Sequence, residues 1–230
     1  MSGPLLGEVL PLAEDEQLAA WGAAVLDAVP IAEIGDIAGA LYALVVKSGA
    51  SRIDPSAYVS PLANIGEDVV IGPGVRVHEF STVRSRSVLS AGAHVGYGCE
   101  ISRSVVGAGT AFAHRATVCC SVIGRDCHFA TSLNTVTCLL SNPDMLNPAR
   151  PVAFALPGGG RTSTGEPKWG ALVGHRVRAG LGVTLGPGAV VGSDCTLHAG
   201  VTVATAWIPP GTTLQPAAPV GHRFTEGNRS

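Results

Sequence analysis

The stretch Ile53-Asp54-Pro55-Ser56-Ala57-Tyr58-Val59-Ser60-Pro61-Leu62-Ala63-Asn64-Ile65-Gly66-Glu67-Asp68-Val69-Val70-Ile71 returns an aliphatic residue at every sixth position. The beat continues through Val77, Val83, Leu89, Val95 and Ile101. It then shortens to five at Val106, resumes at Phe112 and Val118, shortens again at Ile123, reaches Phe129 and dissolves. It restarts with Val173, Ala179, Leu185, Val191, Leu197 and Val203, and Ile208 follows five later. The steps between are short runs of Gly, Pro, Ser and Asp, such as Ile71-Gly72-Pro73-Gly74, which favour corners over helix. A fixed period of six reads as a parallel β-helix, an all-β solenoid. Each hexapeptide is one short strand and a corner, three of them close a triangular coil, and inward aliphatic side chains stack on the coils above and below. At about eighteen residues per coil, residues 51–209 hold about seven coils once the aperiodic stretch is set aside.

Composition agrees. Gly 30 and Pro 16 in 230 residues suit many tight corners, and 46% hydrophobic with only 5% aromatic suits a core of Val, Ile, Leu and Ala. Fifteen basic and 17 acidic residues leave a net charge of −2, which gives no field for nucleic acid or an anionic membrane. The N-terminus lacks a basic leader with a long apolar core, and the apolar run Ile37–Val46 is too short to span a bilayer. A cytoplasmic protein is expected. Its six cysteines, at 99, 119, 120, 127, 138 and 195, are then thiols, mostly small core residues, with no C-x-x-C pair to hold a metal.

Residues 1–50 differ. Leu18, Trp21, Val25, Leu26 and Val29 fall at helical spacing between Glu14 and Pro30, with Gly22 as an internal weak point. A second helix fits Ala32–Lys47, and the pair is expected to cap the open edge of the first coil. Residues 139–170 are an inserted loop, dense in turn formers such as Ser141-Asn142-Pro143-Asp144 and Gly158-Gly159-Gly160. Insertions on one face of a solenoid often form its binding surface. The triple glycine could also cradle a phosphate, but it lacks the P-loop spacing. Residues 210–230 form a C-terminal tail.

The chain from Ile53 to Ile208 resembles the left-handed β-helix acetyltransferase domain of the bifunctional enzyme that acetylates glucosamine 1-phosphate and then uridylylates it. The archaeal-type sugar-phosphate nucleotidyltransferases are similar too, and the nucleotidyltransferase domain itself is absent. Val77-His78-Glu79-Phe80-Ser81-Thr82-Val83-Arg84 matches that family's stretch of valine, phenylalanine and arginine, and His94-Val95-Gly96 and Glu100 follow in order. Thr164-Gly165-Glu166-Pro167-Lys168-Trp169-Gly170 matches its threonine-glycine-x-x-lysine-x-glycine stretch. The resemblance implies a left-handed coil, acetyl-CoA as acyl donor, a small-molecule acceptor and a homotrimer with sites in the clefts between chains. It also places the catalytic histidine on His114.

Chemistry supports those roles independently. N-acylation by a thioester needs a base to take the ammonium proton, a donor for the oxyanion and cations for any substrate phosphate. Histidine titrates near neutrality and suits the base, and a carboxylate such as Glu100 would orient its ring. Arg84 and Lys168 would bring positive charge to a phosphate or carboxylate. The departures from the family are equally specific. Ser102 and Thr117 stand where it carries a lysine and a tyrosine, Ala130-Thr131-Ser132-Leu133 and Thr137 replace its glycine-alanine-glycine-threonine stretch and catalytic asparagine, and His128 replaces another asparagine. Asn134 lies three residues off the matching position. Thr131 and Ser132 would border the donor groove, where larger side chains narrow the approach of coenzyme A. His128, Thr117, Thr137 and Asn134 join Arg84 and Lys168 as candidate substrate contacts, and the acceptor is expected to differ from glucosamine 1-phosphate.

Two functions follow. One is an acyl-CoA-dependent acyltransferase acting on an amine or hydroxyl of a small, anionic or sugar-like acceptor. The other is a CoA-independent β-helix enzyme using the same histidine for cyclisation, elimination or isomerisation. A zinc carbonic anhydrase of this architecture would need an H-x-x-x-x-H pair, and no two of the seven histidines, His222 included, stand five apart.

Overall fold

The computed structural model describes residues 5–33, 35–157 and 159–216. Most of the expected tail, with His222, lies outside them, as does Gly158 of the glycine run. The described chain is a left-handed parallel β-helix of three flat sheets. Every residue of the hexapeptide beat packs into its core, from Ile53 to Ile208. The beat also continues past the point where it fades in the sequence. Six residues after Phe129 stands Thr135, a polar side chain turned inward, 7% exposed, whose hydroxyl accepts from the Cys119 amide at 2.8 Å and reaches the Cys119 carbonyl at 3.2 Å. Six after Ile208 stands Leu214, which pairs with Leu197 and carries the coil beyond residue 209. The broadest sheet therefore has eight strands, one coil more than the aliphatic count gives.

That sheet, here the histidine face, runs from Tyr58–Val59 through Arg76–Val77, His94–Tyr97, Ala111–His114, His128–Phe129, Arg178–Ala179 and Thr196–Leu197 to Thr213–Leu214. The second, the threonine face, has seven strands, including Thr82–Arg84, Glu100–Ser102, Thr117–Cys119 and Asn134–Thr135. The third, the covered face, also has seven, from Val70–Ile71 to Trp207–Ile208. The five-residue steps at Val106, Ile123 and Ile208 all fall on the corner between the threonine face and the covered face.

The covered face explains both the cap and the insert. Its outward column reads Val70, Val88, Val105, Val122, Leu172, Val190 and Trp207, apolar throughout, so it is unstable in water. The N-terminal segment lies lengthwise along it instead of closing the first coil. The expected long helix appears as Glu16–Ala20 and a 3₁₀ segment Ala23–Ala28, separated at Gly22 with φ 88°, and the second helix is Ile37–Lys47. The insert contributes an antiparallel hairpin, Ala153–Ala155 with Arg161–Ser163, whose Phe154 meets Trp169 edge-on at 4.3 Å. Val152, Phe154 and Trp169 share one apolar cluster with the N-terminal segment. The hairpin and Trp169 thus serve as cover, while Leu140 and Leu146 of the same insert stay exposed. Polar pins fix the cap: buried Asp15 accepts from Leu18 N, Ser90 Oγ and Ala108 N at 2.9, 2.8 and 2.6 Å. Buried His175 joins the Arg125 amide and the Pro11 carbonyl, each at 3.0 Å. These bonds require its neutral tautomer with the proton on Nε2, because a carbonyl only accepts and an amide only donates.

Candidate active site

The strand register fixes what the histidine face presents. In each strand the residue before the inward position points outward, and so does the one after it. The first column is Tyr58, Arg76, His94, Ala111, His128, Arg178, Thr196 and Thr213. The second, nearer the threonine face, follows by the same register as Ser60, His78, Gly96, Ala113, Ala130, Gly180 and His198. Four consecutive small residues, Gly96 to Gly180, make a shallow lane along the helix axis, roughly 14 Å long at the usual strand spacing. His78 stands at one end of it and His198 at the other. A side chain at position 96 would collide with the Ala113 carbonyl, so glycine there is a steric requirement.

His114 ends its strand at the corner bordering this lane, exposed and paired in register with Tyr97. Its carbonyl accepts from the Thr131 hydroxyl at 3.0 Å and from the Ser132 amide at 2.9 Å, so the next coil grips its backbone. Ser132 holds a left-handed φ of 63° to make that turn. Thr131 and Ser132 therefore do border the candidate base. Asn134 Nδ2 donates to the Ser132 carbonyl at 3.1 Å. Around the corner, Thr117 lies in register between Glu100 and Asn134 on the threonine face. The Glu100 carboxylate takes an ion pair from Arg84 at 2.6 Å, and among the described residues no hydrogen bond joins it to His114. Arg84 is thereby committed to Glu100.

Two of the expected site residues lie elsewhere. The Thr137 carbonyl accepts from the Trp169 amide at 2.7 Å. Lys168 lines a small cleft with Asp36, Arg103, Cys120, Glu166 and Trp169, where helix Ile37–Lys47, the insert and the opposite corner meet. Within one chain, then, His114, Thr131, Ser132, Asn134, Thr117 and Glu100 cluster at one corner, His128 lies on the adjoining face, and Lys168 and Thr137 belong to another corner.

Four features of the face were not singled out from the sequence. The small-residue lane is one, Arg76 and Arg178 are two more, and the fourth is His94 as a member of the face, since the sequence offered it only within the His94-Val95-Gly96 match. His78 and His94 pack with ring centroids 4.7 Å apart, and Tyr58 lies 5.8 Å from His78 and from the Arg76 guanidinium. Burial, aided by His78, Arg76 and His114, holds the His94 imidazole below its usual range. The Nε2 atom of His78 is buried and has no hydrogen-bond partner among the described residues. These positions flank each inward residue of the beat, so taking its immediate neighbours would have found them. Burial, then the nearby Glu100 and Cys120, push the half-buried Cys119 thiol up to about 11. Among the described residues no three His, Cys, Asp or Glu side chains converge as a metal site would require.

Residues 47–143, somewhat under half of the chain, match the family model of the GMPPB C-terminal domain. No curated protein is significantly similar in sequence. Among solved structures, a variant of AntD, an N-acyltransferase from Bacillus cereus in complex with dTDP-4-amino-4,6-dideoxyglucose and coenzyme A, is 14% identical, with 74% of this chain and 78% of that one covered and a TM-score of 0.39. A variant GDP-perosamine N-acetyltransferase from Caulobacter crescentus, with CoA and GDP-perosamine, is 16% identical over 76% of this chain and 60% of its own, with a TM-score of 0.29. The acetyltransferase domain of PglB from Neisseria gonorrhoeae FA1090, with acetyl coenzyme A, is 18% identical at the same coverages, with a TM-score of 0.23.

Proposed function

We propose that the chain is an acyl-CoA-dependent acyltransferase that transfers an acyl group, acetyl in the first instance, to an amine or hydroxyl of a small, anionic or sugar-like acceptor. One observation carries this reading: an exposed histidine, its backbone held by two hydrogen bonds from the next coil, stands beside a lane of small residues along one face. His114 serves as general base. The acceptor nitrogen or oxygen attacks the thioester carbonyl and its proton passes to the imidazole. The carbon–sulfur bond then breaks, and the imidazolium returns that proton to the departing thiolate. Gly96, Ala113, Ala130 and Gly180 let an extended donor arm lie close to the backbone. Thr131, Asn134 and Thr117 offer hydroxyl and amide groups to the acceptor, and Glu100, held by Arg84, supplies negative charge across the corner. Its bond to the His114 ring would form only with substrate in place, as catalytic hydrogen bonds commonly tighten in the complex.

The assembly belongs to the same proposal: a cytoplasmic homotrimer with its sites in the clefts between faces. Lys168, remote from His114 of its own chain, would then serve a neighbouring cleft. The CoA-independent alternative is favoured by Thr131 and Ser132, larger than glycine or alanine where the groove passes His114. The test is thiol release from acetyl-CoA over a panel of amino sugars and hydroxy acids. His114→Ala should lower turnover by about 10²–10⁴, and Glu100→Gln by less, since the imidazole remains. Near-wild-type turnover in His114→Ala would exclude this base.

A further inference from the structure

The chain as a whole is slightly acidic, with a net charge of −2, yet its charges are sharply segregated. No strand of the histidine face carries a carboxylate; its strands carry Arg76, His94, His114, His128 and Arg178. His78 and His198 extend two of those strands. The acids at the edge shared with the covered face are already engaged, Asp126 by Arg125 at 3.1 Å and Asp194 by Arg176 at 2.7 and 2.9 Å. Five of the chain's seven histidines therefore belong to this face, and a carboxylate reaches one of them, His78, from the edge shared with the threonine face, where Glu79 lies 3.8 Å away.

The segregation is sharpest over the coils beyond His114. His128, Arg178 and Thr196 are register neighbours in adjacent strands, and His198 lies two residues beyond Thr196 on the same side. Together with Gly180 they line one shallow depression. Its floor is small because a side chain at position 180 would press on the backbone of the next coil, 2.6 Å from the Ala199 nitrogen. Its walls are two imidazoles and a guanidinium, and the guanidinium of the exposed Arg178 has no hydrogen-bond or ion-pair partner among the described residues. A guanidinium fork between two imidazoles suits a group with several anionic oxygens spread over two strand spacings, about 10 Å. That description fits a diphosphate better than a single carboxylate.

We propose that Arg178, His128 and His198 form a phosphate-binding subsite at the end of the lane that leads from His114, and that it holds a phosphate-bearing ligand of the reaction. The proposal rests on the acyl-transfer reading and deepens it by placing the phosphates of the donor, or of a phosphorylated acceptor, at that end of the lane. Its test does not need transfer to occur. The probe is inorganic pyrophosphate, titrated calorimetrically at low ionic strength into the full-length protein.

Wild-type protein is expected to bind it. Arg178→Ala should weaken binding by about tenfold. His114→Ala should leave it unchanged, and so should Arg161→Ala, which removes an exposed charge from the distant hairpin. Circular dichroism melting keeps the comparison to folded variants. Absence of binding to wild type, or equal weakening by Arg178→Ala and Arg161→Ala, would overturn the subsite. Repeating the titration with coenzyme A and with a nucleoside diphosphate sugar identifies the source of the phosphate, because either loss in Arg178→Ala supports the site and assigns it to donor or acceptor. Pyrophosphate binding without coenzyme A binding would remove the acyl-transfer reading and leave the subsite standing.

Discussion

His94 shows how the position of a residue in this fold sets its chemistry. Burial, then His78, Arg76 and His114, keep its folded pKa below the ordinary value of 6.5. The unfolded chain therefore binds more protons than the folded one as the pH falls through about 6.5 towards the depressed folded value, and stability is lost over that window. A plot of Tm against pH should fall on acidification, and His94→Asn should flatten it; an unchanged slope would show that the imidazole does not report this environment. Thiols give an opposite example. Burial pushes Cys127 up to about 12 and is the main cause at Cys119, which is raised to about 11, so neither is a thiolate at neutral pH. Native protein at pH 8 should react with a thiol reagent at these sites far more slowly than denatured protein, as mass mapping would show. The inward residues were legible at this scale because solvent exclusion demands aliphatic side chains at a fixed period. Thr135 was not, since a hydroxyl satisfied by the Cys119 backbone meets the same demand without hydrophobicity.

At the scale of elements, the coil was read with its register and its three short steps. The cap and the insert were read as extra pieces but not for where they go. Their destination depends on the outward column of one sheet, and that column becomes visible only when strands 17, 18 or 50 residues apart are aligned. The small-residue lane was hidden for the same reason. Asp15 tests the account of the cap directly. Asp15→Ala would leave the Leu18 and Ala108 amides without their acceptor, costing about 1–3 kcal/mol for each buried group left unsatisfied. Limited proteolysis should then cut within residues 5–50 well before the β-helix; equal resistance in mutant and wild type would mean that packing on the covered face alone holds the segment. Trp169→Ala should cost about 3–5 kcal/mol, because it removes the edge-on contact with Phe154 and the indole hydrogen bond to the Gly35 carbonyl.

On the scale of the whole molecule, three flat faces divide the work: one is closed by the chain's own cap and insert, and two remain open to solvent or to other copies. Leu62, Phe80, Tyr97 and Leu181, between 49% and 61% exposed, fall along the corner where the two open faces meet, close to His114. Burial of that ridge against neighbouring chains is the physical basis for the proposed trimer. Light scattering should give three times the chain mass of 23.3 kDa, and a monomer mass would remove the inter-chain cleft. The measurement that bears most directly on the central claim is calorimetric titration of acetyl-CoA into the wild type and into Ala130→Leu, which fills the floor of the lane beside His114. Acyl transfer along this face predicts that wild type binds acetyl-CoA and that Ala130→Leu, folded and assembled alike, does not. No binding by wild type at about 1 mM, a level at which even a Kd of that order worth only ~4 kcal/mol would register, or equal binding by both proteins, would contradict it.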